Sequence, residues 1–383
     1  MNKNKKIDLG KRSLALHKKL RGKIGTVAKM QLKTKYDLAV AYTPGMAAVS
    51  TYLEHNKDKI REYTMKGNCV AVISDGSAVL GLGNIGPEGA LPVMEGKALL
   101  FKNFANVDAF PIVLATQDTE EIIKTVKNIA TVFGGINLED ISAPRCFEIE
   151  KRLKAELDIP VMHDDQHGTA LVVLAGLINA CKVVKKKLSE CRIVVSGAGA
   201  AGTAVAELIH KHGAGNIIML DSVGIISDSR TDLNSSKKEL LKFSNKENLS
   251  GGLTEAIKGA DIFIGLSKPG LLTAEHIKSM SKKAIVFAMA NPVPEIMPDL
   301  ALKAGAVVVA TGRSDFPNQL NNVLGFPGIF RGALDHHVRD ITDEMLIRAA
   351  IKLAAVVKKP TAVNIIPSPF DKNVVKAVSS SIY

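Results

Sequence analysis

The stretch Cys191–Asp221, CRIVVSGAGAAGTAVAELIHKHGAGNIIMLD, decides the fold. Its opening apolar run, Arg192 to Ser196, is rich in valine and isoleucine and reads as a buried strand. Gly197, Gly199 and Gly202 follow as G-x-G-x-x-G, with Ala200 and Ala201 between the last two glycines. Thr203 to His212 then carries apolar residues at helical spacing. A second apolar run, Ile217 to Leu220, ends at Asp221, 19 residues beyond Gly202. Glycines so placed serve a tight turn, close backbone approach to a pyrophosphate, and close packing of helix on strand. Amides at the helix start then face the phosphate charge. Small-residue turns are common alone, but here the strand, the helix and the acid all stand where the motif needs them. Gly197, Gly199, Ala200, Ala201, Gly202 and Asp221 are therefore expected against a dinucleotide.

Beyond Asp221 the segment SDSRTDLNSSKKELLKFSNKEN is polar and turn-rich, the expected mobile loop or insertion. Strands are expected at Ala260 to Leu266, Ala284 to Met289 and Ala306 to Ala310, with helices between them. That alternation predicts a doubly wound, mostly parallel sheet. Ligands of such sheets meet the carboxyl ends of the strands, which puts Asp221, Ser267, Asn291 and Thr311 along one rim. A helix from Thr342 to Val357 is expected to pack back.

Working toward the N-terminus, a long apolar helix from about Thr169 to Val184 joins this unit to an earlier one. There, Val70 to Ser74 and Phe110 to Ala115 read as strands. Val79 to Gly86 is a second glycine-rich stretch, leading to a helix around Glu95 to Phe104. Ile136 to Ile141 reads as a short strand carrying Glu139 and Asp140, and IPVM as a strand ending in His163-Asp164-Asp165. The whole is α/β: an N-terminal α/β domain over residues 1–165, then a Rossmann-type dinucleotide domain over 166–383.

Several side chains invite chemistry, each with a plainer alternative. Helical lysines usually keep their charge in solvent; Lys97, close to the glycine-rich loop, is one whose pKa burial could lower, making it a base. Glu139, Asp140 and Asp165 suit hard oxygen ligation of Mg²⁺ or Mn²⁺, although an Asp-Asp before a helix more often only caps it. His163 and His167 are four apart, as in a zinc hydrolase. Pro160 and the strand-like IPVM, however, put His163 before the helix, so the two would not share a face. Asn291, Asn321 and Asn322 read as turn residues or ligand contacts, and Tyr42 as a tyrosine half-buried on the next helix.

Composition narrows the class. A chain of 383 residues with 46% hydrophobic and 23% charged residues can bury two ordinary cores. No apolar run reaches the roughly 20 residues of a membrane span. The basic start lacks the apolar region of a secretory signal. Four cysteines without C-x-x-C spacing fit a reducing cytoplasm. A net charge of +12 could draw nucleic acid or small anions. Scattered lysines and the absence of tryptophan argue against base-stacking platforms. Neither nucleic acid nor a membrane is expected as a partner.

With these pieces laid out, the chain resembles malic enzyme of the short bacterial type. The resemblance is carried by AYTPGMA, SDGSAVLGLGNIGPEGALPVMEGKALLFKNFANVDAFP, INLEDISAPRCFEIE, IPVMHDDQHGTA, VVSGAGAAGTAVAEL, FAMANPVPEIMP and ATGRSDFPNQLNNVLGFPGIFRGALD, in family order from about residue 25 to 370. It implies oxidative decarboxylation of (S)-malate to pyruvate and CO₂ with reduction of NAD or NADP, a divalent metal, and a homodimer or larger assembly. Position by position it implies Tyr42 as general acid and Lys97 as general base. Glu139, Asp140 and Asp165 match the metal ligands, and Asn291 and Asn322 lie near malate and the nicotinamide. Larger family members carry an arginine where this chain has Ala78, so the substrate carboxylate must be recognised elsewhere. Asp221 favours NAD over NADP, because it repels a 2′-phosphate and Ser222-Val223-Gly224 offers no arginine, although Lys211 or a loop lysine could approach. Alternatives are a metal-free amino-acid dehydrogenase with the same domain order, and a nucleic-acid-binding protein.

Overall fold

The computed structural model describes residues 8–79 and 81–383. The first seven residues of the basic lead-in, and Leu80 of the second glycine-rich stretch, lie outside the described residues. The run CVAVIS is apolar without alternation, the pattern of a strand covered on both faces. It forms β1 (Cys69–Ser74), buried throughout. Strands β2 (Asp108–Val113), β3 (Gly135–Leu138) and β4 (Val161–His163) complete a parallel sheet in the order β2-β1-β3-β4.

Helices α1 (Leu9–Leu20), α2 (Lys35–Ala41), α3 (Gly45–His55) and α4 (Ile60–Tyr63) precede this sheet. Its crossovers are α5 (Gly86–Ala105), α6 (Thr119–Ile129) and α7 (Arg145–Glu156). Helix α5 starts well before Glu95 because Pro87, lacking an N–H, suits the first turn. Its buried stripe is Ala90, Met94, Lys97, Ala98, Phe101 and Ala105, so helical spacing carries Lys97 inward with its apolar neighbours.

Helix α8 (Asp164–Val184) follows β4 with no linker, five residues earlier than expected. Gly168 permits this: a Cβ there would lie 1.9 Å from Asp164 Oδ1. By length and hydropathy α8 could span a membrane, which corrects the expectation that no such run exists. Its apolar window is 72% buried inside the protein, packed on α9 (Ala200–Lys211) and α15 (Asp343–Val356), so it is a core helix. The sequence boundary at 165/166 falls inside this helix.

The second sheet contains β5 (Arg192–Ser196), β6 (Asn216–Leu220), β7 (Ile262–Gly265), β8 (Ile285–Ala288) and β9 (Val308–Thr311). Every pair is parallel and the order is β6-β5-β7-β8-β9, the doubly wound arrangement that the alternation predicts. Between β6 and β9 run α10 (Ser235–Leu241), α11 (Leu253–Ile257), α12 (Ala274–Ser279) and α13 (Pro298–Lys303). The chain ends through α14 (Phe326–Asp335), α15 and α16 (Asn373–Ser379).

Helix α14 returns to the first half. Its Phe326 and Phe330 meet Phe101 of α5 edge-on, with ring centroids 4.7 and 5.5 Å apart. Each such buried ring stabilises by about 1.5–3 kcal/mol, with about 0.5–1.5 kcal/mol more for each ring pair. Truncating Phe101 to alanine would break this joint.

Candidate active site

Because all strands of the first sheet run the same way, one edge collects their carboxyl ends. That edge carries Glu139 and Asp140 after β3, and Asp164 and Asp165 after β4. The sequence reading set both β3 acids inside a strand; instead β3 stops at Leu138 and Asp140 turns left-handed, at φ +54°. The turn lets the Asp140 amide donate to Asp165 Oδ2 at 2.8 Å.

Glu139, Asp140 and Asp165 each offer an oxygen within 4.8 Å of the other two. Burial, with the neighbouring negative charges adding to it, pushes the Asp165 carboxyl up to about 6 and Glu139 up to about 7; Lys97 pulls both the other way. Three crowded carboxyls, with Glu139 and Asp165 resisting ionisation, are an environment that a divalent cation relieves. The donor set, all oxygen, fits Mg²⁺ or Mn²⁺.

Lys97 joins this cluster. Its Nζ lies 2.6 Å from Asp164 Oδ2, 2.8 Å from Glu139 Oε1, and 4.2 Å from the centre of the Phe326 ring. The expected lowering of its pKa is overturned. Burial does lower it, but Asp164 and Glu139 outweigh burial and hold the amine charged. Asp164 is the residue that sequence reasoning undervalued. Its Oδ2 also accepts from Asn322 Nδ2, and burial pushes it up to about 7 against the pull of Lys97. Asn137, likewise overlooked, donates to Glu139 Oε2 at 2.9 Å.

The zinc reading of the histidines fails on geometry. His163 ends β4, while His167 lies on α8 and turns to Glu150, 3.0 Å from its Oε2. Glu150 of α7, also missed, accepts from the His163 amide at 2.9 Å and from Gln166 at 3.2 Å. Its signal was positional: it lies one helical turn from Cys146 and Leu153, on the buried face.

Tyr42 makes no hydrogen bond to this cluster among the described residues. It caps α2 at its C-terminal end, is 67% exposed, and its hydroxyl makes no hydrogen bond among the described residues. The expectation of a half-buried tyrosine is overturned with it. Helices α1, α2 and α3 bury no residue, and Tyr42 stays largely open to solvent among the described residues.

The rim of the second sheet meets this edge. A Cβ on Gly202 would fall 1.8 Å from the Gly197 carbonyl oxygen, and one on Gly197 would fall 2.6 Å from that of Leu266. Gly199 has nothing within 4 Å on that side, and Ala200 and Ala201 begin α9 beside it. The loop is thus tight where it packs and open where a pyrophosphate would approach, which fits a dinucleotide. The two rims touch: a Cβ on Gly81 would meet the Asn291 carbonyl oxygen at 2.5 Å. Asn322 reaches Asp164 from the same side.

Asp221 directly follows β6 as expected, but it is flanked by cations from the polar insertion. Arg230 grips both its oxygens at 2.8 and 2.9 Å, and Lys237 approaches to 2.6 Å. The sequence looked for an arginine only in the next three residues; it stands nine residues on. Lys211 pairs with Asp343 instead.

Two family models match the chain: the malic enzyme N-terminal domain over residues 21–154 and the malic enzyme NAD binding domain over residues 166–382. An NAD-dependent malic enzyme of Geobacillus stearothermophilus is 55% identical, over 98% of this chain and 78% of its own length. An NADP-dependent malic enzyme of Halomonas elongata is 46% identical, over 95% of this chain and 90% of its own. The crystal structure of an NAD-dependent malic enzyme from Thermotoga maritima superposes with a TM-score of 0.94 at 49% identity, covering 97% of this chain and 98% of that one. These matches do not favour the amino-acid dehydrogenase alternative, which has no use for three converging carboxylates. The chain belongs to the malic enzyme family.

Proposed function

We propose that Lys97, Asp164 and the acidic cluster of Glu139, Asp140 and Asp165 form the centre of a malic enzyme in which a second copy of the chain supplies Tyr42. As a family member, the chain oxidatively decarboxylates malate to pyruvate and CO₂, with reduction of NAD or NADP. The single observation behind the site assignment is the junction of Lys97 Nζ with Glu139 and Asp164 at 2.8 and 2.6 Å, beside the acidic cluster.

Glu139, Asp140 and Asp165 would hold the divalent ion, which when bound polarises the C2 oxygen of malate. Using Glu139 as a ligand takes from Lys97 one of the two carboxylates that keep it charged. Lys97 then releases its proton to Asp164, whose raised pKa suits it as acceptor, and takes the proton of the C2 hydroxyl. The glycine loop would hold the pyrophosphate and Asn291 would lie near the nicotinamide, and the cofactor when bound would accept the hydride from C2. The resulting 2-oxo acid loses its C4 carboxylate as CO₂, and its C3 needs a proton to become pyruvate.

Tyr42 is the donor for that proton, acting from the partner copy. Two observations support the crossing. Lys23 fastens the segment before α2 to α5 by its amide on Glu95 at 3.0 Å and its Nζ on the Pro92 carbonyl at 2.7 Å. Outward from there, Val27, Tyr36, Leu38, Val40 and Tyr42 stand about half exposed or more. Exposed apolar side chains along one segment, interleaved with charges, suit an interface, and exchange of an identical element would close a two-fold dimer. Four reduced, buried cysteines support a cytoplasmic location.

Mixing Tyr42→Phe chains with Lys97→Met chains tests the assembly, each parent being inactive alone. Exchange across a dimer leaves one intact site per mixed pair, so malate-dependent cofactor reduction returns. Persistent inactivity of mixed dimers refutes the shared site.

A further inference from the structure

The polar insertion after β6 does more than connect. Asp221 Oδ1 accepts from the amides of Val223 and Gly224 at 2.9 and 3.2 Å and from Arg230 Nη1. Its Oδ2 accepts from Arg230 Nη2 and Lys237 Nζ. Five donors thus crowd a carboxylate that offers about four lone-pair positions. A ribose with free 2′ and 3′ hydroxyls brings two more donors and finds no free acceptor on Asp221.

The cations are placed asymmetrically. Arg230 lies between two aspartates, Asp221 and Asp232, and both use its guanidinium. Lys237, on α10, has Asp221 as its one ion-pair partner among the described residues. An ammonium carries three N–H donors and this one spends a single donor there, leaving two for another acceptor. A surface cavity of about 420 Å³ is lined by Arg230, Lys238 and Lys242 together with Asp228, Leu233 and Leu241. Burial works to raise the Asp221 pKa, but Arg230 and Lys237 outweigh it and hold the carboxyl well below its usual range. Its negative charge is present, and it is offset by two cations.

We propose that Lys237, seated on Asp221 beside Arg230, is a 2′-phosphate subsite, and that this chain takes NADP at least as well as NAD. The proposal rests on the second-sheet rim being the dinucleotide site, and it reverses the preference that an isolated Asp221 implies. A 2′-phosphate supplies acceptors where the rim has spare donors, and Lys237 meets it without Asp221 leaving Arg230.

The test is calorimetric titration of the full chain with 5′-AMP and with 2′,5′-ADP at one fixed ionic strength, so that binding is read without turnover. The expected result is 2′,5′-ADP bound no more weakly than 5′-AMP. Lys237→Gln should weaken 2′,5′-ADP about 10-fold or more while changing 5′-AMP less than about 2-fold, and Lys237→Arg should restore the phosphate preference. Wild-type binding of 5′-AMP with 2′,5′-ADP more than about 10-fold weaker overturns the subsite and leaves the malate reading standing. Equal losses for both probes in Lys237→Gln also overturn it. Failure of a folded chain, checked by circular dichroism, to bind either probe overturns the subsite together with the dinucleotide site.

Discussion

Replacing Asp165 with asparagine removes a charge from the acidic cluster while sparing its frame, since the asparagine oxygen still accepts the Asp140 amide that Asp165 now takes at 2.8 Å. For the wild-type chain, Mn²⁺ at about 100 times its Kd stabilises by about 2.7 kcal/mol. Unfolding entropy for a chain this long comes to about 0.8 kcal/mol per kelvin, so the expected rise in Tm is about 3 °C. Even outer partners of a metal site cost about 10–100-fold in affinity when removed. A ligand lost at the upper end of that range leaves about 0.4 kcal/mol, or about 0.5 °C, at the same Mn²⁺ concentration.

Scanning fluorimetry at constant ionic strength reads both shifts, and pH adds an internal check. The folded Asp165 and Glu139 carboxyls, raised to about 6 and about 7, keep protons that the unfolded chain releases near pH 4. Stability of the cation-free protein attached to these groups is therefore fully present below about pH 4 and falls as pH climbs to about 7. The Mn²⁺ shift grows over the same span, because the ligands must ionise to bind. Asp165→Asn protein that keeps the full wild-type shift would refute the ligand assignment.

Lys97→Met should lower kcat by about 10²–10⁴-fold, the usual contribution of a general base, as followed by reduced-nicotinamide absorbance with malate and Mn²⁺; turnover near wild type would remove Lys97 from the chemistry. Glu150, whose burial is outweighed by His167 and His163, is pulled down to about 2, so its stabilisation is present above pH 4.5 and lost as pH falls toward 2. Glu150→Gln should cost about 3 kcal/mol at pH 7 by urea unfolding, less at pH 3, and a cost unchanged by pH would contradict the ion pair. Gly202→Ala sets a methyl 1.8 Å from the Gly197 oxygen and should abolish fluorescence enhancement of bound reduced cofactor; retained binding would mean that the loop does not cradle it.

Much of this was legible from residue order. G-x-G-x-x-G, its flanking strand and helix, and Asp221 gave the second sheet because each is a local signal with a fixed spacing. Glu139, Asp140 and Asp165 were legible as hard donors in apolar surroundings. What sequence could not supply was pairing across distance. Asp164 and Asp165 are adjacent and chemically identical, yet α8 turns one toward Lys97 and the other toward Asp140. The charge state of Lys97 depends on two carboxylates 42 and 67 residues away. Arg230 lies only nine residues from Asp221, but the bend that joins them is set by packing. On the proposed shared site, Tyr42 would depend on contacts that a single chain does not contain.

Helix α8 begins where β4 ends and runs about 30 Å along the nucleotide half, so no slack separates the acid pair at its tip from the layer that carries the cofactor. The spacing between the acid pair and the second sheet is therefore tied to how this one helix packs against α9 and α15. Gly176, midway along, shows how fine that setting is: a methyl there would press on Leu320 at 2.9 Å and on Phe287 at 3.4 Å. A shift of a few tenths of an ångström at this point would move the acid pair at the helix tip relative to the second sheet.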